Sequence, residues 1–182
     1  MIRCLGPDDL PLLRALWSQG LEQVPEAFLL TPSEMLAITD AQLSAALEAK
    51  VYWGAFQDGR LVGFAALRAG GLERLGHTGD VGPLFVDPAW RRRGLGAQIL
   101  SALQAHAREI GLKQIELTVD RQNKSAFALY LRAGFRIIGI RPRSVLVNGL
   151  PRDDVMMLQM LDQPKADGFL HPILQDALQD WG

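Results

Sequence analysis

The sequence predicts a mixed α/β domain that contains local hairpins as well as crossover connections. Two tight turns, Asp58-Gly59 and Asn148-Gly149, each lie between a pair of strand-like segments. Such dipeptides favour the positive φ that a two-residue hairpin turn needs. Between the hairpins, long helical patterns alternate with short apolar runs. The predicted order is therefore strand, two helices, three strands, helix, strand, helix and two strands.

The first half of the chain is predicted to hold a short strand, two helices and the first hairpin. Pro7, Asp8 and Asp9 are a helix-start signal, and the apolar residues that follow them recur at helical spacing. Apart from a restart at Ser33, residues 22–39 have no regular pattern. The predicted segments are a strand at 2–5, a helix after Pro7, a helix at 40–49, and hairpin strands at 51–56 and 60–67.

The second half is dominated by an amphipathic helix predicted at 94–110, with apolar residues along one face and Gly111 where a helix would end. Before it, Pro83 lies inside a buried-strand pattern at 81–86. Proline cannot donate to a strand ladder, so we expect a bulge or a neighbouring strand that has splayed away. The remaining predicted segments are a strand at 113–119, a helix at 123–133, and strands at 135–140 and 154–161.

Composition excludes several classes of protein. The chain has 182 residues, a length that favours one domain. Its formal charge is −1, whereas nucleic-acid binders usually carry an excess of basic residues. A single cysteine, Cys4, allows no internal disulfide and favours a reducing compartment. The longest apolar run, at 61–67, is too short to cross a bilayer. We therefore expect a cytoplasmic protein with no nucleic-acid partner, no membrane partner and no metal.

A cluster of charge and glycine, RRRGLG at 91–96, precedes the amphipathic helix. The first N–H groups of a helix lack partners and attract anions, and the two glycines let a phosphate approach the backbone. The Walker A pattern is not matched, and a dinucleotide fingerprint would need glycine in place of Ile99. The segment matches the acyl-CoA pyrophosphate loop, Arg/Gln-x-x-Gly-x-Gly/Ala, at every fixed position.

Two segments resemble the GNAT superfamily of N-acetyltransferases. Residues 84–107, LFVDPAWRRRGLGAQILSALQAHA, are similar to its acetyl-CoA signature, and residues 123–135, NKSAFALYLRAGF, are similar to its Asn-x-x-Ala-x-x-x-Tyr-x-x-x-Gly-Phe segment. The resemblance implies a mostly antiparallel sheet flanked by helices, with a splayed parallel pair formed by 81–86 and 113–119. It covers an acyltransferase domain over 1–161, and 162–182 would be a linker and a short helix.

The resemblance also implies how acetyl-CoA, the expected co-substrate, binds. Pantetheine would lie in the split between the parallel strands, and the pyrophosphate would lie on backbone amides of the glycine loop. The implied binding residues are Leu84, Phe85, Val86, Arg91, Arg92, Arg93, Gly94, Leu95, Gly96, Ala97, Asn123, Ala126 and Tyr130.

The implied reaction is direct attack of a primary amine on the acetyl thioester. The amine must lose a proton before it attacks, and the departing thiolate needs a proton or a hydrogen-bond donor. Tyr130 matches the tyrosine with which the family supplies that donor, although a core aromatic is the other interpretation. Asp80 stands where some family members carry a catalytic glutamate. The alternatives for the base are His77, Glu116, Asp120 and an ordered water chain, and Asp80 is also readable as a loop or turn residue.

The acceptor is not named by the sequence. Its site is expected from the variable segments, which are residues 20–40, the start of the first hairpin and the last turn. The leading hypothesis is transfer to a small-molecule or peptide amine. The alternatives are a protein acetyltransferase acting on an N-terminus or a lysine, and a regulatory module that binds acyl-CoA without turnover. Dimers are common in the family that the chain resembles, so we expect a homodimer.

Overall fold

A computed structural model describes residues 1–162, which fold into seven strands and five α-helices. The strands are β1 (Ile2–Cys4), β2 (Tyr52–Gln57), β3 (Arg60–Ala69), β4 (Thr78–Val86), β5 (Gln114–Asp120), β6 (Arg136–Val147) and β7 (Leu150–Met160). The helices are α1 (Leu10–Gln23), α2 (Pro32–Ala37), α3 (Asp40–Glu48), α4 (Leu95–Glu109) and α5 (Lys124–Arg132).

The strands form one sheet in the order β1-β2-β3-β4-β5-β7-β6. β4 and β5 are parallel, with residues 78–80 opposite residues 114–116. The pairs β1–β2, β2–β3, β5–β7 and β6–β7 are antiparallel. The prediction of a mostly antiparallel sheet with one parallel pair, flanked by helices, is therefore confirmed.

The chain divides into two compact units, and the first consists of Met1–Arg68 and Val81–His106. Its core is aromatic: the ring of Phe64 lies 5.4 Å from that of Trp17 and 6.2 Å from that of Phe85. Glycine at position 63 allows the two strands to approach closely, because a Cβ there would lie 3.0 Å from the carbonyl oxygen of Phe85. This close approach holds β3 against the part of β4 that leads into the glycine loop.

Within the described residues, the second unit contains Ala69–Asp80 and the chain from Ala107 to residue 162. Along β5, successive side chains alternate between buried and exposed, as a half-buried sheet requires. Ile115, Leu117 and Val119 are buried, whereas Glu116 and Thr118 are exposed. The buried face is completed by apolar side chains of β6, β7 and α5, including Tyr130, Ile137, Val155 and Met157. The opposite face of β5 and β7 is the polar face of this unit.

Four elements, β4, α2, β6 and β7, differ most from the prediction. β4 begins at Thr78, three residues earlier than predicted, within a glycine-rich segment that resembles a loop. Residues 22–39 contain the helix α2, because Thr31 and Glu34 form a capping box at its start. The last hairpin is longer than predicted, since β6 extends to Val147 and β7 begins at Leu150.

No helix among residues 1–162 is long and apolar enough to cross a membrane. The linker and short helix predicted at 162–182 lie, apart from residue 162, outside the described residues. The domain boundary at 161 therefore stays a prediction.

Candidate functional site

The glycine loop at 91–96 connects the end of β4 to the start of α4. Asp87 anchors its entrance, because the Asp87 N–H donates to the carbonyl of Val62 at 2.9 Å and the Asp87 carboxylate accepts from the N–H of Ala89 at 2.9 Å. Two loop residues adopt left-handed backbone, Arg92 with φ 61° and Gly94 with φ 76°. Such turns point successive N–H groups toward one side, which is the geometry of an anion-binding backbone concavity.

The first turn of α4 offers free hydrogen-bond donors. Helical bonding begins where the N–H of Gln98 donates to the carbonyl of Gly94 at 3.1 Å. The N–H groups of Leu95, Gly96 and Ala97 have no acceptor within residues 1–162. The first turn also contains no acidic residue. The positive end of the helix dipole is therefore open to an anionic group.

The arginines of the loop are partly engaged in local contacts. Arg91 Nε donates to the carbonyl of Val86 at 2.9 Å, which ties the loop to the end of β4. The guanidinium of Arg93 lies 4.6 Å from the centre of the Trp90 ring, within the range of a cation–π contact. All three arginines are exposed. Their positive charge therefore stays at the rim of the loop.

Asn123 begins α5 as its N-cap. Its Oδ1 accepts hydrogen bonds from the N–H of Ala126 at 3.1 Å and from the hydroxyl of Ser125 at 3.0 Å. The resemblance implies only a role in the acetyl-CoA site for Asn123 and Ala126. The capping role was missed, although asparagine directly before a helix is a recognisable signal for it.

Tyr130 is buried on α5, with 7% of its surface exposed. Its ring packs edge-on against Phe135 at a centroid distance of 5.8 Å. Burial raises the pKa of the Tyr130 hydroxyl to about 12. No hydrogen bond joins this hydroxyl to another residue in the described part of the chain. Tyr130 is therefore both a packed core residue and a protonated hydroxyl with its donor unused.

The candidate bases occupy different environments. Asp80 is exposed and lies directly opposite Glu116 in the register of β4 and β5, so the two carboxylates are neighbours on one face of the sheet. Asp120 is already engaged, since its carboxylate accepts from the N–H of Gln122 at 2.7 Å and lies 3.4 Å from Arg152. His77 is exposed, and its carbonyl accepts from the N–H of Lys113 at 2.8 Å.

Asp154 on β7 is not among the site residues predicted from the sequence. It is buried and lies directly opposite Asp120 on β5. Two consecutive aspartates just after a turn indicate solvated turn residues. The sequence therefore does not predict that Asp154 is buried. The available signal was that Asp154 is the first residue of the predicted strand.

Comparison with known proteins identifies the family of the chain. The model of the Acetyltransferase (GNAT) family matches residues 15–135. The N-alpha-acetyltransferase RimI of Mycobacterium tuberculosis is 39% identical over 102 residues, which cover 54% of this chain and 60% of that protein. The mycothiol acetyltransferase of Clavibacter sepedonicus is 40% identical over 79 residues, which cover 43% of this chain and 24% of that protein.

The chain spans from about a quarter to three fifths of the length of the first curated relatives that it matches. Among solved structures, yncA of Salmonella typhimurium, described with its cofactor acetyl-CoA, has a TM-score of 0.78 and 20% identity. The match covers 91% of this chain and 96% of that one, and at this identity it concerns the fold alone. With a family model that matches well over half of its residues and a fold of the same type, this chain belongs to the Acetyltransferase (GNAT) family.

Proposed function

We propose that this protein transfers the acetyl group of acetyl-CoA to a primary amine by direct attack of the amine on the thioester. The observation that carries the proposal is the open helix start, where the N–H groups of Leu95, Gly96 and Ala97 have no acceptor in the described chain. A pyrophosphate fits this donor set, because it brings several anionic oxygens to a positive helix end. The exposed guanidiniums of Arg91, Arg92 and Arg93 add attraction at the rim.

The remaining contacts with acetyl-CoA would come from strand and helix ends. Phe85 is only 2% exposed, so it would contribute backbone groups rather than its side chain. Leu84 and Val86 would offer backbone groups in the same way. Asn123 would offer its side-chain NH₂ group, since its Oδ1 is used in capping α5. Ala126 lies within the first turn of the same helix.

Tyr130 would act as a donor to the departing thiolate. With its pKa raised to about 12, the hydroxyl is protonated throughout the physiological range. An ordinary thiol has a pKa near ~8.5, so full transfer of the tyrosine proton to the thiolate is unfavourable. A hydrogen bond that strengthens as negative charge develops on sulfur is the role that this pKa supports.

The proposal is tested by incubating the protein and acetyl-CoA with a panel of primary amines and peptides while free thiol is measured. We expect thiol release that depends on the amine and matches the formation of an acetylated product. Binding of acetyl-CoA without thiol release for any amine would instead favour a regulatory module.

For the base, we propose Asp80. Replacement by asparagine keeps the size of the side chain and removes its ability to take a proton. We expect kcat to fall by about 10²-fold and the rise of activity with pH to change shape. Asp58→Asn is the matched control, because Asp58 lies in an exposed turn with φ 48° that asparagine also tolerates. A pH–rate profile of Asp80→Asn that matches the unmodified protein would assign the proton to another group.

A protein acetyltransferase is the second candidate, and the relative named N-alpha-acetyltransferase RimI favours it. The mycothiol acetyltransferase relative favours a small molecule instead. The amine panel separates these candidates when peptides and small amines are compared at equal concentration. A value of kcat/KM at least ten-fold higher for a peptide would favour the second candidate.

A further inference from the structure

The entrance of the glycine loop is connected to α1 by the side chain of Gln19. Gln19 Nε2 donates to Asp87 Oδ2 at 3.1 Å, across 68 positions of the sequence. Asp87 Oδ1 already accepts from the N–H of Ala89, so the two oxygens of this carboxylate hold two different parts of the chain. An ionised carboxylate only accepts hydrogen bonds, so the group that faces it must be the NH₂ of Gln19. All three residues belong to the first compact unit.

The NH₂ group of Gln19 is held from two sides. Its other acceptor is Gln23 Oε1, which lies 3.4 Å away and one turn further along α1. An amide NH₂ carries two protons, so each of them has an acceptor in this arrangement. Gln19 and Asp87 are both only partly exposed, which limits the competition from water for their hydrogen bond. The Gln19 amide is therefore oriented toward the loop.

A second contact joins α1 to the same end of β4. Gly20 follows Gln19 in α1, and a Cβ at position 20 would lie 3.1 Å from Phe85 Cζ and 2.8 Å from Phe28 Cζ. The absence of a side chain at Gly20 thus allows α1 to approach the ring of Phe85 closely. Phe85 precedes Asp87 by two residues, so two consecutive residues of α1 contact the end of β4 at two points. This packing holds α1 where the side chain of Gln19 reaches Asp87.

Asp87 sets the direction in which the chain leaves β4. Its carbonyl accepts from the N–H of Trp90 at 2.8 Å and its carboxylate caps the single helical turn Pro88–Trp90. The glycine loop follows this turn directly. A different rotamer of the Asp87 side chain would release the N–H of Ala89 and shift the start of the loop. The open N–H groups at the start of α4 would then lose their common direction.

We infer that Gln19 is a positioning residue for acetyl-CoA. It fixes the carboxylate of Asp87, and through Asp87 it fixes the loop that receives the pyrophosphate. Gln19 acts through this contact and does not itself touch the co-substrate. The inference rests on the proposed function and deepens it, because it makes the affinity for acetyl-CoA depend on α1, a helix that contains no part of the acetyl-CoA signature.

The first test removes the hydrogen bond without adding a charge. Gln19→Met keeps the length of the side chain and loses its NH₂ group. We expect Kd and KM for acetyl-CoA to rise by about five-fold or more while kcat at saturation is unchanged, because the lost bond lies outside the reacting centre. Gln23→Met is the matched control, since the same change one turn further along α1 keeps the bond to Asp87. An unchanged Kd in Gln19→Met would overturn the inference.

The second test uses charge repulsion at the same contact. Gln19→Glu places a carboxylate against that of Asp87, and both are ionised at neutral pH. We expect Kd for acetyl-CoA to rise by about ten-fold or more. In the Asp87→Asn background the same change should have little effect, because the asparagine NH₂ can donate to the new carboxylate while its oxygen keeps the bond from Ala89. An equal loss in both backgrounds would mean that the new charge repels the anionic ligand directly, and the inference would be wrong.

Calorimetry and thermal unfolding together separate the inference from its alternatives. If the loss of affinity follows Tm across the variants rather than the contact with Asp87, Gln19 has only a structural role and the inference fails. If the unmodified protein binds acetyl-CoA and every variant binds it equally, the inference fails and the proposed function stands. If affinity depends on Gln19 as expected but no amine is acetylated, the proposed function fails and the inference stands.

Discussion

Replacing Gly94 with alanine is expected to weaken acetyl-CoA binding by about ten-fold or more. Gly94 has φ 76°, a conformation that costs an alanine roughly 1–2 kcal/mol. Space is not the obstacle, because the nearest atom to a Cβ there is Gln98 Nε2 at 3.6 Å. The loop can relieve the strain by rotating at position 94, and this rotation turns the N–H groups that follow away from their common direction. Calorimetric titration of acetyl-CoA measures the loss.

Gly59→Ala is the matched control for this prediction. Gly59 has the same φ of 76° in the turn between β2 and β3, and a Cβ there meets no atom within 4 Å. Both variants should lose similar stability, but only Gly94→Ala should lose affinity. Equal affinity for acetyl-CoA in the two variants would show that the backbone at position 94 has no part in binding.

The second large effect is expected for Tyr130→Phe, which should lower kcat by about 10²-fold. The variant removes the hydroxyl while the ring that packs against Phe135 is kept. The hydroxyl has no hydrogen bond to the described chain, so its removal leaves no broken bond inside the protein. Thermal unfolding at pH 7 should therefore change little. An unchanged kcat would restrict Tyr130 to a packing role.

The pH dependence of stability gives an independent check on Tyr130. Burial raises the pKa of its hydroxyl to about 12, above the value near ~10 of an exposed tyrosine. Its contribution is therefore fully present below pH ~10 and is lost as the pH rises toward 12. Tyr130→Phe cannot ionise and should lose less stability over this interval than the unmodified protein, as measured by urea unfolding.

The parts of the fold that local signals encode were predictable from the sequence. Asp58-Gly59 and Asn148-Gly149 identified both hairpins, because a positive φ within a two-residue turn is a local requirement. The amphipathic pattern of α4 predicted its position to within one residue at each end. The start of β4 was missed, since Thr78 and Gly79 form a strand through pairing with Gln114 and Ile115 rather than through their own preference.

The candidate site likewise has features that consecutive residues predict and features that they do not. The RRRGLG segment predicted an anion-binding helix start because its meaning depends on consecutive residues. The engagement of Asp120 by Arg152 depends on residues 32 positions apart, and no pattern along the chain reports it. The surroundings of Asp154 depend on the pairing of three strands, since the residues opposite it are Asp120 on β5 and Arg141 on β6. Which charged side chains lie beside one another on a sheet face therefore cannot be predicted from a single sequence.

Whether the start of α4 binds acetyl-CoA is measured most directly by calorimetric titration of the protein with acetyl-CoA, with ATP and NAD as controls. We expect saturable binding of acetyl-CoA alone, with an affinity that falls in Gly94→Ala and not in Gly59→Ala. If acetyl-CoA does not bind at high concentration, the open N–H groups at the start of α4 serve another purpose, and the proposed acetyl transfer is wrong.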